Sequence, residues 1–387
     1  MRKWFAPIVM AGAAALVSSL VTSGPAGADP SHGSPPGPFH GPFGLGAPVF
    51  VQTNDPAGNQ VVSYLQTGGG LHQVERASTG GDGVAIPGSV VDKLASQSSL
   101  ADDLSEHLLV AVNGGSDTIT TFRTAGPQLF DRHVASSGGS TPVSVAVFGD
   151  LVYVLNAGGT GSVQGYYADS LTPIPGSNRS LGLTPGLTPA FLNTPGQIGF
   201  SPDGHDLIVT TKANGSDIDV FGVTPQGGLS AAPTVNPSAT PVPFGFTFDK
   251  AGDLVVSEAG VSALTTYRIG AGDALTELGS VTDGQAALCW VTSTRGGFFF
   301  GANAGSGTVT AYTIDSSGQP TVVSTNPTAA GPIDLAASPD GSTLYVETGG
   351  SDVLQAFSVS STGTLNLIGS VSPELPGGNG LEGIAVG

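Results

Sequence analysis

The chain carries one cysteine, two methionines, two tryptophans and six histidines in 387 residues. A lone Cys289 excludes an internal disulfide, so whatever closes the fold does so without a covalent clasp. No G-x-S-x-G elbow, H-E-x-x-H pair, EF-hand loop or phosphate loop occurs, and the histidines stand far apart. Metal-dependent and covalent mechanisms therefore have no support in the residues, and no cofactor is expected. Cys289 itself lies in an apolar run, LCWV, where a small buried side chain is the simplest role. Charge is scarce and one-sided: 11 Lys and Arg stand against 29 Asp and Glu, a formal net charge of −18. A chain this acidic is repelled by phosphate backbones and anionic lipid, which excludes nucleic acid as a partner class.

Long apolar runs are also missing, save one. Arg2 and Lys3 precede a mostly apolar stretch to Val21, and Ala26-Gly27-Ala28 ends it with small residues. That order is the pattern of a signal peptide over residues 1–28, so the protein is expected to be secreted or held in a bacterial cell envelope. Once the signal is gone no integral membrane segment is expected. Two of the basic residues leave with it and no acid does, which takes the net charge to −20. Residues 29–47, DPSHGSPPGPFHGPFGLGA, read as a Pro/Gly-rich linker with little to bury.

What the chain has in abundance is glycine, 60 residues of it, and repetition. VVSY at 61–64, TITTF at 118–122, SVQGY at 162–166, DIDVF at 217–221, ALTTY at 263–267, TVTAY at 308–312 and VLQAF at 353–357 are seven versions of one strand. Their aromatics, Tyr64, Phe122, Tyr166, Phe221, Tyr267, Tyr312 and Phe357, are spaced 58, 44, 55, 46, 45 and 45 residues apart. A period in the forties with alternating apolar positions predicts an all-β, seven-bladed β-propeller of four-stranded antiparallel blades over residues 48–387.

Each copy reads as strands A to D from the axis outward, with tight turns such as Asp203-Gly204 and Asp340-Gly341 between A and B. The first copy begins at its second strand, and the C-terminal GLEGIAVG resembles the A strands PVSVAV and GQIGFS. The tail is therefore expected to supply the missing inner strand and close the ring, removing free sheet edges. Two steps are long because of AIPGSVVDKLASQ at 85–97, expected to make a helical turn around Val90–Leu94, and SNRSLGLTPGLTPAFLNTPG at 177–196. Both fall on the ring face where strand D returns to the next strand A.

The axial mouth on that face is where a propeller gathers side chains. The B strands end there at Asn54, Asn113, Asn156, Lys212, Glu258, Asn303 and Glu347. Asn is a turn-capping residue; Lys212 and Glu258, on neighbouring blades, are ionisable and stand in its place. They are the candidate acid/base pair, with a salt bridge as the simpler reading. The A strands begin near Gln97, Ser144, Gln197, Gln285 and Asp334, hydrogen-bonding groups suited either to a polyol or lactone or to backbone and channel water. With them, Glu347 and Arg179, the latter from the long 177–196 loop, complete the candidate substrate-binding residues.

The runs HLLVAVNGGSDTITTF, GDLVYVLNAGGTGSVQGY, PGQIGFSPDGHDLIVTT, GFFFGANAGSGTVTAY and GPIDLAASPDGSTLYVETGG resemble the seven-bladed lactonase-type propellers, which include 6-phosphogluconolactonase-like proteins and carboxymuconate lactonizing enzymes. The resemblance covers about residues 47–387. It implies a lactonase-like hydrolase or cycloisomerase working at the axial mouth. Family enzymes bring Pro-Arg-His into an inner strand and an acid at the end of the next; the matching positions here are Pro195, Gly196 and Gln197, then Lys212. Export and acidity favour a small neutral lactone over a sugar phosphate. The alternative is a non-catalytic propeller that binds a cell-envelope glycan or protein through its loop-rich face; under either reading a monomer is expected.

Overall fold

A computed structural model describes residues 46–68, 70–103, 105–373 and 381–387. The segment read as a signal peptide and most of that read as a linker lie outside the described residues. Among those described, no helix is long and apolar enough to cross a membrane.

Seven antiparallel sheets form, one per repeat. Six contain four strands in A-B-C-D order. Blade 3 differs at its rim, where Thr172–Pro173 and Arg179–Ser180 share the outer edge of strand Ser162–Tyr167. The seven periodic aromatics all lie on C strands and all are buried. They form the packing between blades: Tyr64 of blade 1, for example, shares a cluster with Leu354 and Ala356 of blade 7. In five blades the C-to-D pairing slips by one residue beside this aromatic, a bulge that sharpens the blade's twist.

The ring closes as the tail's sequence implies. Strand Ile384–Val386 pairs with Pro48–Gln52, with Val51 opposite Ile384 and Val49 opposite Val386. Backbone bonds from Glu382 N to Gln52 O, Gln52 N to Gly383 O and Gly387 N to Pro48 O extend that pairing. Leu381, Ile384, Ala385 and Val386 are buried, so blade 1 is built from both ends of the described chain.

Inner strands pose a problem of their own, because one edge of each faces the axis with unpaired backbone groups. In four blades the inner strand also slips register where it begins, at Pro142/Ser144, Pro243/Phe246, Leu288/Trp290 and Pro332/Leu335. Side chains of the neighbouring blade answer several of these groups. Ser144 Oγ accepts from Ile198 N at 3.2 Å, and Gln197 Oε1 accepts from Phe246 N at 2.6 Å.

Candidate functional site

The segment before blade 2's inner strand answers most of the rest, and it fills the mouth where the candidate residues gather. Residues 85–99 form no helix. The helical turn expected around Val90–Leu94 is displaced by a side-chain loop: Asp92 accepts from the amides of Ala95 at 2.6 Å and Ser96 at 2.9 Å. The chain then crosses the axis. Gln97 lies against strand Leu288–Ser293 as if it were backbone, its Nε2 donating to Val291 O at 2.8 Å while its Oε1 accepts from Val291 N at 3.1 Å. Trp290 Nε1 donates to Ser96 O, Ser96 Oγ to Val143 O, Ser144 Oγ to Gln97 O, and Gln97 N to Gly196 O.

Blades 5 and 7 admit the segment through glycine. A Cβ on Gly245 would stand 2.0 Å from Gln97 Oε1, and one on Gly349 would stand 2.0 Å from Val91 O. Blade 7 also reaches it through Asp334 Oδ2, which accepts from Ser98 N at 3.2 Å. Blade 1 reaches it through Glu382, whose Oε1 accepts from the amides of Lys93 and Leu94. A segment that extends its own blade 2 thus touches the other six.

Lys212 and Glu258 are both buried, but no ion pair joins them; each is held by its own surroundings. Lys212 takes the left-handed turn position, φ 53°, and sends Nζ across the mouth to Ala95 O at 2.5 Å, Phe191 O at 2.7 Å and Thr194 Oγ1 at 2.9 Å, beside the Phe244 ring. Glu258 turns into its own blade and accepts four hydroxyls: Ser238 and Tyr267 at 2.5 Å, Thr240 and Thr265 at 2.6 Å. Three of the four Asn positions bond close to their own turns, whereas Asn54 exchanges bonds with the Val84 backbone. Asn113 and Asn303 donate to Thr hydroxyls five and seven residues on, and Asn156 donates to Ser137 O.

The acid that acts on Lys212, Asp92, is one the sequence reading passed over. Asp92 is the hub: its charge acts on Lys212, Asp334, Glu347, Glu382 and Cys289. Burial dominates each group. It holds Asp334 up at about 7 and lowers Lys212 to about 7, the latter against the pull of Asp92. Burial also lifts the Glu347 and Glu382 carboxyls well above the usual range, Glu382 further through the adjacent Asp92 carboxyl. No donor reaches either Glu347 oxygen at bonding geometry, although the nearby Gly383 amide favours its ionised form. Cys289 lies deep yet partly accessible, and burial pushes its thiol up to about 12, so it is no nucleophile. The sign of this cluster was available in the sequence, as acids inside the insertion and the closing tail of a chain with few charges.

The remaining candidates disperse. Gln197 Nε2 donates to Ser98 Oγ at 3.4 Å, so its amide spans the insertion and blade 5. Gln285 is only partly buried and accepts from Thr308 Oγ1 at 3.2 Å. Arg179 does not swing over the mouth. It pairs with strand Ser162–Tyr167 at the rim, where its guanidinium donates to the carbonyls of Leu229 and Ser230 at 2.7 Å. Among the described residues no three His, Cys, Asp or Glu side chains are arranged to hold a metal ion.

The opposite mouth, on the face of the A–B turns, is open. It is a funnel of about 710 Å³ reached by Asp102, Phe248, Phe299, Arg295 and the tail residues Ile384 and Val386. Among the described residues nothing donates to the Asp102 side chain except its own amide, and burial, with Asp103 adding to it, holds that carboxyl up at about 7.

No protein-family profile and no curated protein sequence matches the chain. Solved structures do. The periplasmic gluconolactonase of Pseudomonas aeruginosa superposes with a TM-score of 0.69 at 17% identity, over 88% of this chain and 99% of that one. A candidate 6-phosphogluconolactonase of Bacteroides fragilis gives 0.68 at 16% identity, over 88% and 98%. A catalytically inactive virginiamycin B lyase of Staphylococcus aureus is more distant, 0.52 at 14% identity over 69% and 82%. In architecture, then, the chain is a seven-bladed propeller of the kind these lactonase structures display.

Proposed function

We propose that this protein is an exported lactonase-type propeller acting on a small neutral lactone at the insertion-face mouth. The observation that carries the reading is the gathering of Lys212, Asp334, Glu347, Glu382 and Asp92 around one axis, with Lys212 and Asp334 both brought to about 7. Groups held near the working pH by burial, here with Asp92 acting on both, are the kind that serve in proton transfer. Asp334, as carboxylate, takes the proton from the attacking water. Lys212, as ammonium, faces the oxyanion that develops on the lactone carbonyl. Glu258, saturated by four hydroxyls, positions blade 5 and does not act as the base. Substrate reaches the pair when residues 92–98 lift from the mouth, which frees Lys212 from Ala95.

The pH profile has a defined shape. Turnover needs Asp334 deprotonated and Lys212 protonated, so it rises towards pH 7 from the acid side and falls beyond it. The test is hydrolysis of a panel of neutral lactones by purified protein. Lys212→Met and Asp334→Asn should each lower turnover by about 10²–10³-fold. Glu258→Gln should act mainly on stability. A second reading is favoured by one feature, the filling of that mouth by the chain itself. It is a non-catalytic propeller that binds a cell-envelope glycan or protein. Absence of turnover above buffer across the panel, or turnover indifferent to Lys212 and Asp334, favours this second reading.

A further inference from the structure

Cationic side chains are rare here, and nearly all are spent. Of the 11 basic residues, Arg2 and Lys3 lie outside the described part. Arg76, Lys93, Arg123, Arg132, Arg179, Lys212 and Arg268 each donate at least one side-chain hydrogen bond. Among the described residues only Lys250 and Arg295 have side chains with no hydrogen-bond or ion-pair partner. Both line the funnel of the A–B face, on the adjacent A–B turns of blades 5 and 6. The acids beside them are committed. Asp249 accepts from the amides of Ala251 and Asp253, and Asp315 from those of Ser317 and Gln319, each carboxylate bracing its own turn.

We propose that this funnel is a binding site, separate from the insertion-face mouth, for a small carboxylate-bearing sugar such as a uronic acid. Its volume is that of a small-ligand pocket. The Phe248 and Phe299 rings and the Ile384 and Val386 side chains offer apolar walls, Thr292 and Ser293 offer hydroxyls, and Lys250 and Arg295 supply the only uncommitted positive charge in the described structure. A protein of net charge −18 repels anions at long range. Two free cations at one mouth create a local exception, effective within about 10 Å at moderate salt. Across the funnel Asp102 sets a pH dependence: protonated, it donates to the ligand's carboxylate; ionised, it repels it. The charged groups around Asp102 are Asp103 on its own strand and, around the funnel, Asp249, Asp315, Lys250 and Arg295.

The experiment is calorimetric titration of the full chain with D-glucuronate and, as a matched uncharged probe, D-glucose. Glucuronate should bind about tenfold more tightly than glucose, and the difference should vanish in the Lys250→Ala/Arg295→Ala double variant. Affinity should be higher at pH 6 than at pH 8, a difference that Asp102→Asn abolishes. Both cation positions are exposed turn residues, so these variants retain the fold. Binding of neither sugar, equal binding of both, or binding unchanged in the double variant overturns the proposal. Lys212→Met, which disables the proposed reaction, should leave glucuronate binding unchanged, so this site and the reaction stand or fall separately.

Discussion

On the face of the long insertions the chain lays Asp92 to Ser98 across its own axis, and that segment hydrogen-bonds to inner strands all around the ring. On the face of the A–B turns the same axis opens into a funnel of about 710 Å³. The first mouth concentrates buried ionisable groups with internal partners; the second is lined by exposed cations without any. A propeller's two mouths are built from opposite ends of the same inner strands, so the contrast does not come from the fold. It comes from one insertion, and from axis-facing backbone groups that the insertion satisfies. Burial then does the electrostatics: sealing one mouth drags Asp334 and Lys212 towards a common value, while the open mouth leaves Lys250 and Arg295 in water.

The tail serves both mouths and closes the ring, and removing it should have the largest effect. Deleting residues 381–387 takes away the inner strand of blade 1, four buried apolar side chains and the Glu382 carboxyl that holds Lys93 and Leu94. At about 1 kcal/mol for each ladder bond and about 2 kcal/mol for each buried aliphatic side chain, the loss rivals the net stability of a domain. Thermal or urea unfolding should find little folded protein. Glu382→Gln, which keeps the strand, should affect only the sealed mouth and lower the midpoint by a few degrees. A truncated chain with an unaltered midpoint would show that the ring does not depend on this strand.

The sealed mouth also predicts an unusual stability profile. Asp334 holds its proton to about pH 7 in the folded state, whereas in the unfolded chain it gives it up near 3.8. Between those values the folded state binds more protons, so stability falls as pH rises from 4 to 7. Lys212 works in the opposite sense: folded, it loses its proton near 7, well below the unfolded 10.5. Above pH 7 the unfolded lysine binds the extra proton, so the Lys212 contribution to stability rises with pH, while Cys289, raised from 9.0 to about 12, opposes it beyond pH 9. Glu347 and Glu382, whose carboxyls burial also holds well above the usual range, act in the same sense as Asp334, so the limbs are read as differences in denaturant titrations: Asp334→Asn should flatten the fall between pH 4 and 7, and Lys212→Met should remove the rising contribution above pH 7. Asp334 alone corresponds to about 4 kcal/mol across its limb, at about 1.4 kcal/mol per pH unit. Asp102 and Asp219, also held up at about 7, add to the acid limb. A maximum at pH 7 would mean that the buried carboxyls are ionised in the folded protein.

Fold and site were unequally legible. The seven aromatics announce the blades because each fills the same inter-blade position, and the tail's likeness to inner strands announces the closure; both are local patterns. The destination of residues 85–97 was not legible. Asp92, Gln97 and Ser98 are ordinary loop residues, and what holds the segment in place is axis-facing backbone and side chains far away in sequence, Val291 for Gln97 and Asp334 for Ser98. Lys212 and Glu258 were read at one strand-end level, but the register sets them one residue apart: Glu258 stands opposite Ala263, the equivalent place in blade 4 belongs to Thr211 opposite Asp217, and Lys212 falls one position further on. Past its strand and in left-handed backbone, Lys212 crosses the mouth to Ala95, whereas Glu258, still within its strand, meets the hydroxyls of Ser238, Thr240, Thr265 and Tyr267.

The smallest and sharpest comparison lies within one class of residue that the sequence places together. Gln97 and Gln285 both precede inner strands, yet Gln97 is buried with both amide atoms bonded to Val291, whereas Gln285 is partly exposed and accepts one bond from Thr308. Replacing Gln97 by Ala strands a buried N–H and a buried C=O in the sealed mouth, which costs about 1–3 kcal/mol. The same change at Gln285 lets water take over the lost bond and should stay within about 0.5 kcal/mol. Chemical denaturation of the two variants at equal slope measures the difference directly. Equal losses would mean that water already reaches Val291, and hence that the segment crossing the axis lies over that mouth without sealing it.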